Sequence, residues 1–373
     1  MMAKVGGIDG KAAQAIAASV RSRRPRLTAP AAAALACVLI VLSITAGVSI
    51  GAVTIPFATV WGIVAHRLWL MLAAWLPGID MLAPAAKTAW SSGRESIVWD
   101  IRFPRAILAA EVGAGLALVG AVLQSATRNP LADPHLLGVS SGAALGAIVA
   151  LLHTGLVIGA ATVPIFAFAG ALAATLLVMI VSKLTRSASA DRLVLSGVAV
   201  SFIVAALGNL MIFLGDPRAV HTIVFWMLGG LGLAQWSQLV YPSTVLIAAL
   251  AYLCIRGREL NALAMGDEFA LSLGIPVAAF RMTLFVATAL LTGVMVAFSG
   301  AIGFVGLMVP HVARLLVGSD NRRVLPLSAA IGAIALVWAD IAARTIMAPE
   351  DMPIGIVTGL VGGVFFVAIL RKR

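Results

Sequence analysis

Long apolar runs, separated by short turns rich in Pro, Gly and Arg, recur along the whole of this 373-residue chain. A helix of about 20 apolar residues crosses the hydrocarbon core of a bilayer, where backbone groups must be satisfied internally. Runs at 30–52, 102–127, 136–153, 164–184, 192–214, 239–255, 282–298, 304–317, 325–345 and 354–370 predict ten such helices. They are too long, and alternate too little, for barrel strands. The turn Arg128-Asn129-Pro130-Leu131-Ala132-Asp133-Pro134 closes the second run with an Asn-Pro pair and two prolines. A short helix is expected near 221–228. Between the first two runs lies a half-polar segment, 53–100, carrying Trp61, Trp69, Trp75, Trp90 and Trp99. Its stretch 61–76 includes His66 and Arg67 and predicts an interfacial helix in an external loop, with a true span as the alternative, since Trp favours the membrane boundary. The longest internal polar-flanked loop, 256–281, predicts one or two short surface helices over 259–273.

Composition turns this pattern into a class. The chain is 61% apolar and 11% charged, against roughly 45–50% and 25% in soluble domains. That excludes a soluble fold, disorder and a collagen-like chain. It leaves an all-α polytopic membrane protein, about ten transmembrane helices in one bundle. The 36 glycines suit close helix packing in lipid. Cys37 and Cys254 lie in apolar runs as small hydrophobes and imply neither a disulfide nor a metal site. The net charge of +11 sorts by loop. Of 26 Lys and Arg, only Arg67, Lys87, Arg94, Arg102, Arg105, Arg218 and Arg344 fall outside when both termini are placed in the cytoplasm. The other 19 lie inside, which predicts an N-in, C-in topology. Residues 1–28 are a basic cytoplasmic extension rather than a signal peptide, because the apolar run that follows is too long for one. The transmembrane domain is 29–373.

Chemistry is sparse. Nothing fits a Walker A loop, Gly-x-Ser-x-Gly, His-Glu-x-x-His or Cys-x-x-Cys, so the chain is not expected to be an enzyme. Intramembrane ionisable groups are the default functional candidates, and few occur. Glu111, deep in the second run, reads as a protonated or hydrogen-bonded packing residue. Asp340 and Arg344 are spaced for a local i,i+4 pair. His311 follows Pro310, which frees a carbonyl for it to bond. Such a small inventory places energy coupling on another chain. The rival is a secondary transporter driven by a proton or sodium gradient. In loop 256–281, Asp267, Glu268, Phe269 and Leu273, closed by Gly274 and Pro276, make a surface that a partner could grip, or an ordinary amphipathic surface helix.

Several stretches together resemble the FecCD-type permeases, the membrane subunits of bacterial ABC importers for iron-siderophores, haem and cobalamin. They are Ile101-Arg102-Phe103-Pro104-Arg105, the run 116–124 ending in Gln124, the turn 128–134, Leu137-Gly138-Val139-Ser140-Ser141-Gly142-Ala143, Ala264-Met265-Gly266-Asp267-Glu268 with Ser272-Leu273-Gly274-Ile275, the run 303–314 through Pro310-His311, and Pro353-Ile354-Gly355-Ile356-Val357-Thr358. The resemblance covers about 30–373; segments 53–99 and 1–28 exceed the usual pattern. It implies a multi-pass homodimer in the bacterial inner membrane with a central pathway. It also implies two cytoplasmic ATP-binding subunits that hold ATP and Mg, and a periplasmic substrate-binding protein. No metal or cofactor resident on this chain is implied, and no nucleic acid.

The resemblance assigns Arg102, Arg105 and Arg344 to docking of the binding protein, where bidentate guanidinium–carboxylate pairs suit the task. It assigns Gly266, Asp267, Glu268, Ala270, Leu273 and Gly274 to coupling with the ATPase. Asn209, Met211, Phe213, His221 and Phe225 are the pathway candidates. Haem is the expected cargo, on the strength of an apolar pathway with His221 and several Met nearby. Ferric siderophore and cobalamin are the alternatives.

Overall fold

The computed structural model describes residues 29–75, 90–134, 138–155, 157–184 and 190–371. The basic extension 1–28, part of segment 53–100 with Lys87, the start of the third run at 136–137, Arg186 and the terminal Lys372-Arg373 lie outside the described residues.

Among the described residues the regular structure is all helical. The elements are α1 (Ala29–Ser49), α2 (Phe57–Trp75), α3 (Phe103–Thr127), α4 (Val139–Val149), α5 (Thr162–Leu184), α6 (Ala190–Phe213), α7 (Pro217–Met227), α8 (Trp236–Ile255), α9 (Gly257–Met265), α10 (Asp267–Ser272), α11 (Val277–Ser299), α12 (Val305–Val317), α13 (Asn321–Thr345) and α14 (Ile354–Leu370). A short helix, Ser92–Ser96, and a π turn, Ile97–Arg102, lead without a break into α3. Among the described residues, eight helices are long and apolar enough to cross a membrane. Seven coincide with predicted runs.

The other three predicted spans are shorter apolar helices among the described residues: the third is seen over Val139–Thr154, the eighth over Val305–Val317 and the tenth over Ile354–Leu370, as predicted. The eighth starts one residue past the predicted position because Phe304, in a left-handed conformation (φ 67°), caps α12.

The eighth long helix is α2, expected to lie at the interface. Its length and composition suffice for a crossing, but its partners all sit at one end of the bundle. Val60, Ile63 and Val64 pack with Val98, Trp99 and the end of α1. Gly62 meets Trp90, and Arg67 pairs with Glu95 at 2.7 Å. Glu95 precedes α3 in a continuous helical run, so α2 gathers at and beyond the outer end of α3.

The core sits along α3, which is buried over nearly its whole length. Pro104 starts α3 inside its first turn, where its missing N–H costs no bond. Arg128, left-handed at φ 54°, ends it, and the Asn129 side chain accepts from the Leu131 N–H at 2.9 Å to form the predicted turn. α13, α11, α12 and α8 surround α3, and α4, α5 and α6 form a second layer that joins the first through α11.

Glycine pairs set the closest approaches. A methyl on Gly113 would overlap the Gly332 carbonyl, one on Gly120 the Gly306 carbonyl, and one on Gly142 the Gly170 carbonyl. Without a hydrophobic drive between helices in lipid, such contacts carry the association. Apolar faces of α1 (Leu35, Val38, Leu39, Leu42), α6 (Phe202, Leu207, Leu210, Phe213) and α14 (Leu360, Val364, Val367) point away from this core. Cys37, expected in a buried setting, is exposed on α1. In a bilayer that surface still meets apolar surroundings.

Candidate functional site

At the outer end, the start of α3 and the end of α13 bring Arg102, Arg105 and Arg344 together as the sequence implied. They do not project outward. Each is less than a tenth exposed. Arg105 Nε donates to Asp340 Oδ1 at 2.9 Å, and its Nη1 to Asp351 Oδ2 at 2.5 Å. Arg344 Nε meets the second oxygen, Asp340 Oδ2, at 2.9 Å, which is the expected i,i+4 pair. Its Nη2 donates to the Gly47 carbonyl of α1 at 2.8 Å. Arg102 donates to the carbonyls of Val48, Ser49 and Val53, at 3.0, 3.1 and 2.7 Å.

The three guanidiniums therefore staple α1, α3 and α13, and buried Asp340 is shared by two of them. Asp351 differs, since its side chain is 52% exposed. Sequence spacing could not offer Asp351, which lies far from Arg105 in the chain. Beside this cluster Trp236 stacks on Trp99 (4.9 Å) and Phe103 (5.5 Å), and its indole N–H donates to the Trp99 carbonyl at 2.7 Å. That fixes the start of α8.

At the inner end, the short surface helices predicted over 259–273 are two, α9 and α10, parted by Gly266 at φ 129°. Gly274, at φ 76°, closes α10. Its N–H bonds to Leu271 O and the Ile275 N–H to Ala270 O, a Schellman pattern that needs a left-handed residue. The six predicted coupling residues separate by role. Glu268 and Leu273 are exposed, as are Met265, Phe269 and Leu271 beside them. Ala270 is fully buried and supports the segment from within. Asp267 turns back to the bundle, accepting from Arg281 at 2.7 Å and lying 3.8 Å from Arg128.

The sequence reading missed the polar partners beneath this segment, Ser125, Asn261, Arg281 and Asn321. Their signal was available, as polar residues near the cytoplasmic ends of apolar runs. Near them, Arg314 Nη1 donates to Gln124 Oε1 at 2.5 Å, and Gln124 Nε2 donates to the carbonyls of Gly306 and Leu307.

The pathway candidates lie on the last turns of α6 and on α7, which follows it. Asn209 and Phe213 are exposed on α6 and Met211 is half-buried; His221 and Phe225 are exposed on α7 with ring centroids 4.6 Å apart. Glu111 is buried in α3 and accepts from the Ser243 hydroxyl of α8 through Oε1, as expected of a packing residue. Its Oε2 is buried with no hydrogen-bond partner among the described residues. His311 stands edge-on to Phe365, 6.4 Å between centroids, where a bond to a freed carbonyl was expected. Among the described residues no cluster of three His, Cys, Asp or Glu could hold a metal.

Comparison with known proteins fits these two polar ends on an apolar bundle. The FecCD transport family matches residues 28–372. The ABC transporter permease protein YvrB of Bacillus subtilis is 40% identical over 336 residues, 89% of this chain and 91% of that protein. The vitamin B12 import system permease protein BtuC of Salmonella arizonae is 39% identical over 320 residues, 84% of this chain and 91% of that protein. A solved structure described as an inward-facing conformation of a metal-chelate type ABC transporter superposes with a TM-score of 0.75. It is 28% identical and covers 91% of this chain and 98% of that chain. The chain belongs to the FecCD transport family, as a multi-pass permease of an ABC importer.

Proposed function

We propose that this permease carries a bulky metal-macrocycle chelate across the bacterial inner membrane, as a homodimer served by two ATP-binding subunits and a periplasmic binding protein. Cobalamin is the first cargo, supported by the vitamin B12 permeases at 39% identity and more. Haem is the second, supported by the exposed His221 imidazole on α7, which could contact haem iron in passing. The exposed apolar faces of α6 and α14 supply the walls of a pathway between two copies. Cargo handed over by a binding protein needs no tight site of its own there, because the energy is differential binding between two states. The observation that carries the reading is the family match from end to end of the transmembrane domain, joined to an exposed inner face on α9 and α10. That face suits the partner ATPase.

The buried arginines fit a docking role through exchange. Asp351 is the one replaceable partner in their cluster, so a carboxylate of the binding protein would take its place on Arg105. Arg102 and Arg344 would hold the surrounding helices.

Reconstituted vesicles holding the chain and its ATPase, given labelled cobalamin or labelled haem on the cognate binding protein, test the cargo. ATP-dependent accumulation of cobalamin is the expected result. Accumulation of haem alone would reverse the order of the two. Accumulation of a ferric siderophore, and of neither macrocycle, would overturn the proposal.

A further inference from the structure

The inner segment has two unlike sides. Its outer side is apolar, with Met265 70%, Leu271 58% and Leu273 59% exposed. Its inner side is fastened by charge and amide groups at two points. At the first, Asp267 at the start of α10 accepts from Arg281 Nη2 of α11 at 2.7 Å. The same carboxylate oxygen lies 3.8 Å from Arg128 Nη2 at the end of α3. The Arg281 side chain is 3% exposed. At the second, Asn261 of α9 donates through Nδ2 to Asp320 Oδ1 at 2.8 Å. Its Oδ1 accepts from the Asn321 backbone N–H and side-chain Nδ2, at 2.8 and 2.9 Å. Asn321 Oδ1 in turn accepts from the Ser125 hydroxyl of α3 at 2.9 Å. Asp320 also caps α13 through the Arg322 N–H.

Apolar contact alone would hold two short helices against a bundle, but it would let them slide. Charged and amide hydrogen bonds, which are directional, hold one geometry and resist shear. The two points reach α11, α3 and α13, the inner layer of the bundle. α6 packs chiefly on α4 and α5, which contact α11. Motion of the segment thus has a packed route to the apolar α6 face by way of α11, and a smaller one through α3, which α6 also touches.

We propose that Asn261 and Asp267 are positioning residues that transmit the ATPase stroke, fastening α9 and α10 to α3, α11 and α13 so that the segment and these helices move as one body. The inference rests on the reading of α9 and α10 as the ATPase-docking segment.

The test uses the full complex with its ATPase in vesicles, and whichever labelled macrocycle the unaltered chain imports. Three quantities are read: ATPase retained on the chain, ATP hydrolysed, and cargo imported per ATP. Asn261→Ala with Asp267→Asn is expected to keep the ATPase bound and hydrolysis within about twofold, while import per ATP falls about fivefold or more. Asp267→Glu, which keeps the charge, should restore most of it. Ser125→Ala touches neither helix of the segment and should uncouple in the same direction, about twofold. Import per ATP unchanged in these variants would overturn the proposal. So would retention, hydrolysis and import falling together in proportion, which marks a merely structural role. Leu273→Asp on the outer side reports on the docking reading by itself. It should strip the ATPase from the chain, and if the ATPase stays it is the docking reading that fails.

Discussion

A guanidinium buried at the end of a membrane helix has to be answered by oxygens, and Arg102, Arg105 and Arg344 show how this chain does it. Carbonyls left free at the end of α1 answer Arg102, and the two oxygens of Asp340 are divided between the other two. Removing the shared carboxylate leaves buried Arg344 without a carboxylate partner and Arg105 with only Asp351 at the rim. Asp340→Ala is expected to cost about 3–5 kcal/mol in thermal unfolding of the detergent-solubilised chain; a loss under about 1 kcal/mol would contradict the shared-pair geometry. Asp351 sits at the rim, and Asp351→Ala should leave stability nearly unchanged while altering affinity for the binding protein. Asp320 gives a pH signature at the other end. The hydrogen bond from Asn261 holds its carboxyl below the usual carboxylate range. Its contribution is therefore present above the ordinary value of about 3.9 and is lost as pH falls through the lowered one. Stability should decline as pH drops from about 5 toward 3, and Asp320→Asn, which keeps an N-cap acceptor, should flatten that decline. At this scale the sequence revealed what local spacing encodes. The Asp340–Arg344 pair was legible from four-residue spacing, whereas the partners Asp351 for Arg105 and Asn321 for Ser125 are set by tertiary packing.

Elements were legible where apolar length alone decides them, as in α1, α3, α5, α6, α8, α11 and α13. They were less so where backbone conformation intervenes. The run at 304–317 carries His311 and Arg314 among apolar residues, and Phe304 in a left-handed conformation sets the start of the 13-residue α12. α2 is long and apolar enough for a span, but its partners Trp90, Glu95 and Trp99 gather it at the outer end. The glycine contacts show why these helices seat so closely. Gly120→Leu would drive a side chain into the Gly306 carbonyl, and overpacking of that kind costs about 1–3 kcal/mol or more. Folded yield should fall, with α12 losing protection in hydrogen exchange; a normal yield would mean that α3 and α12 do not meet there. Gly274→Val forces a β-branched residue to φ 76°, a strain of about 1–2 kcal/mol. It should raise exchange across α10 while leaving α13 protected.

At the scale of the whole molecule, the chain is an apolar bundle with a polar lock at each end and little buried ionisable chemistry between. Glu111, held to Ser243, does not form a relay with other acids among the described residues. That economy fits a permease whose work is driven from outside the membrane by a partner. Family membership was legible from short stretches such as Arg102-Phe103-Pro104-Arg105 and the turn 128–134, because turns and glycine contacts constrain residue identity tightly. Cargo was not, because a pathway wall needs only apolar residues of many kinds. The central claim, import powered by a partner ATPase, has one direct measurement: accumulation of labelled macrocycle in vesicles carrying the chain, its ATPase and the loaded binding protein. Uptake should require hydrolysable ATP, vanish with an ATPase unable to hydrolyse it, and persist when proton and sodium gradients are dissipated. Uptake that follows an ion gradient through this chain without the ATPase would contradict the account.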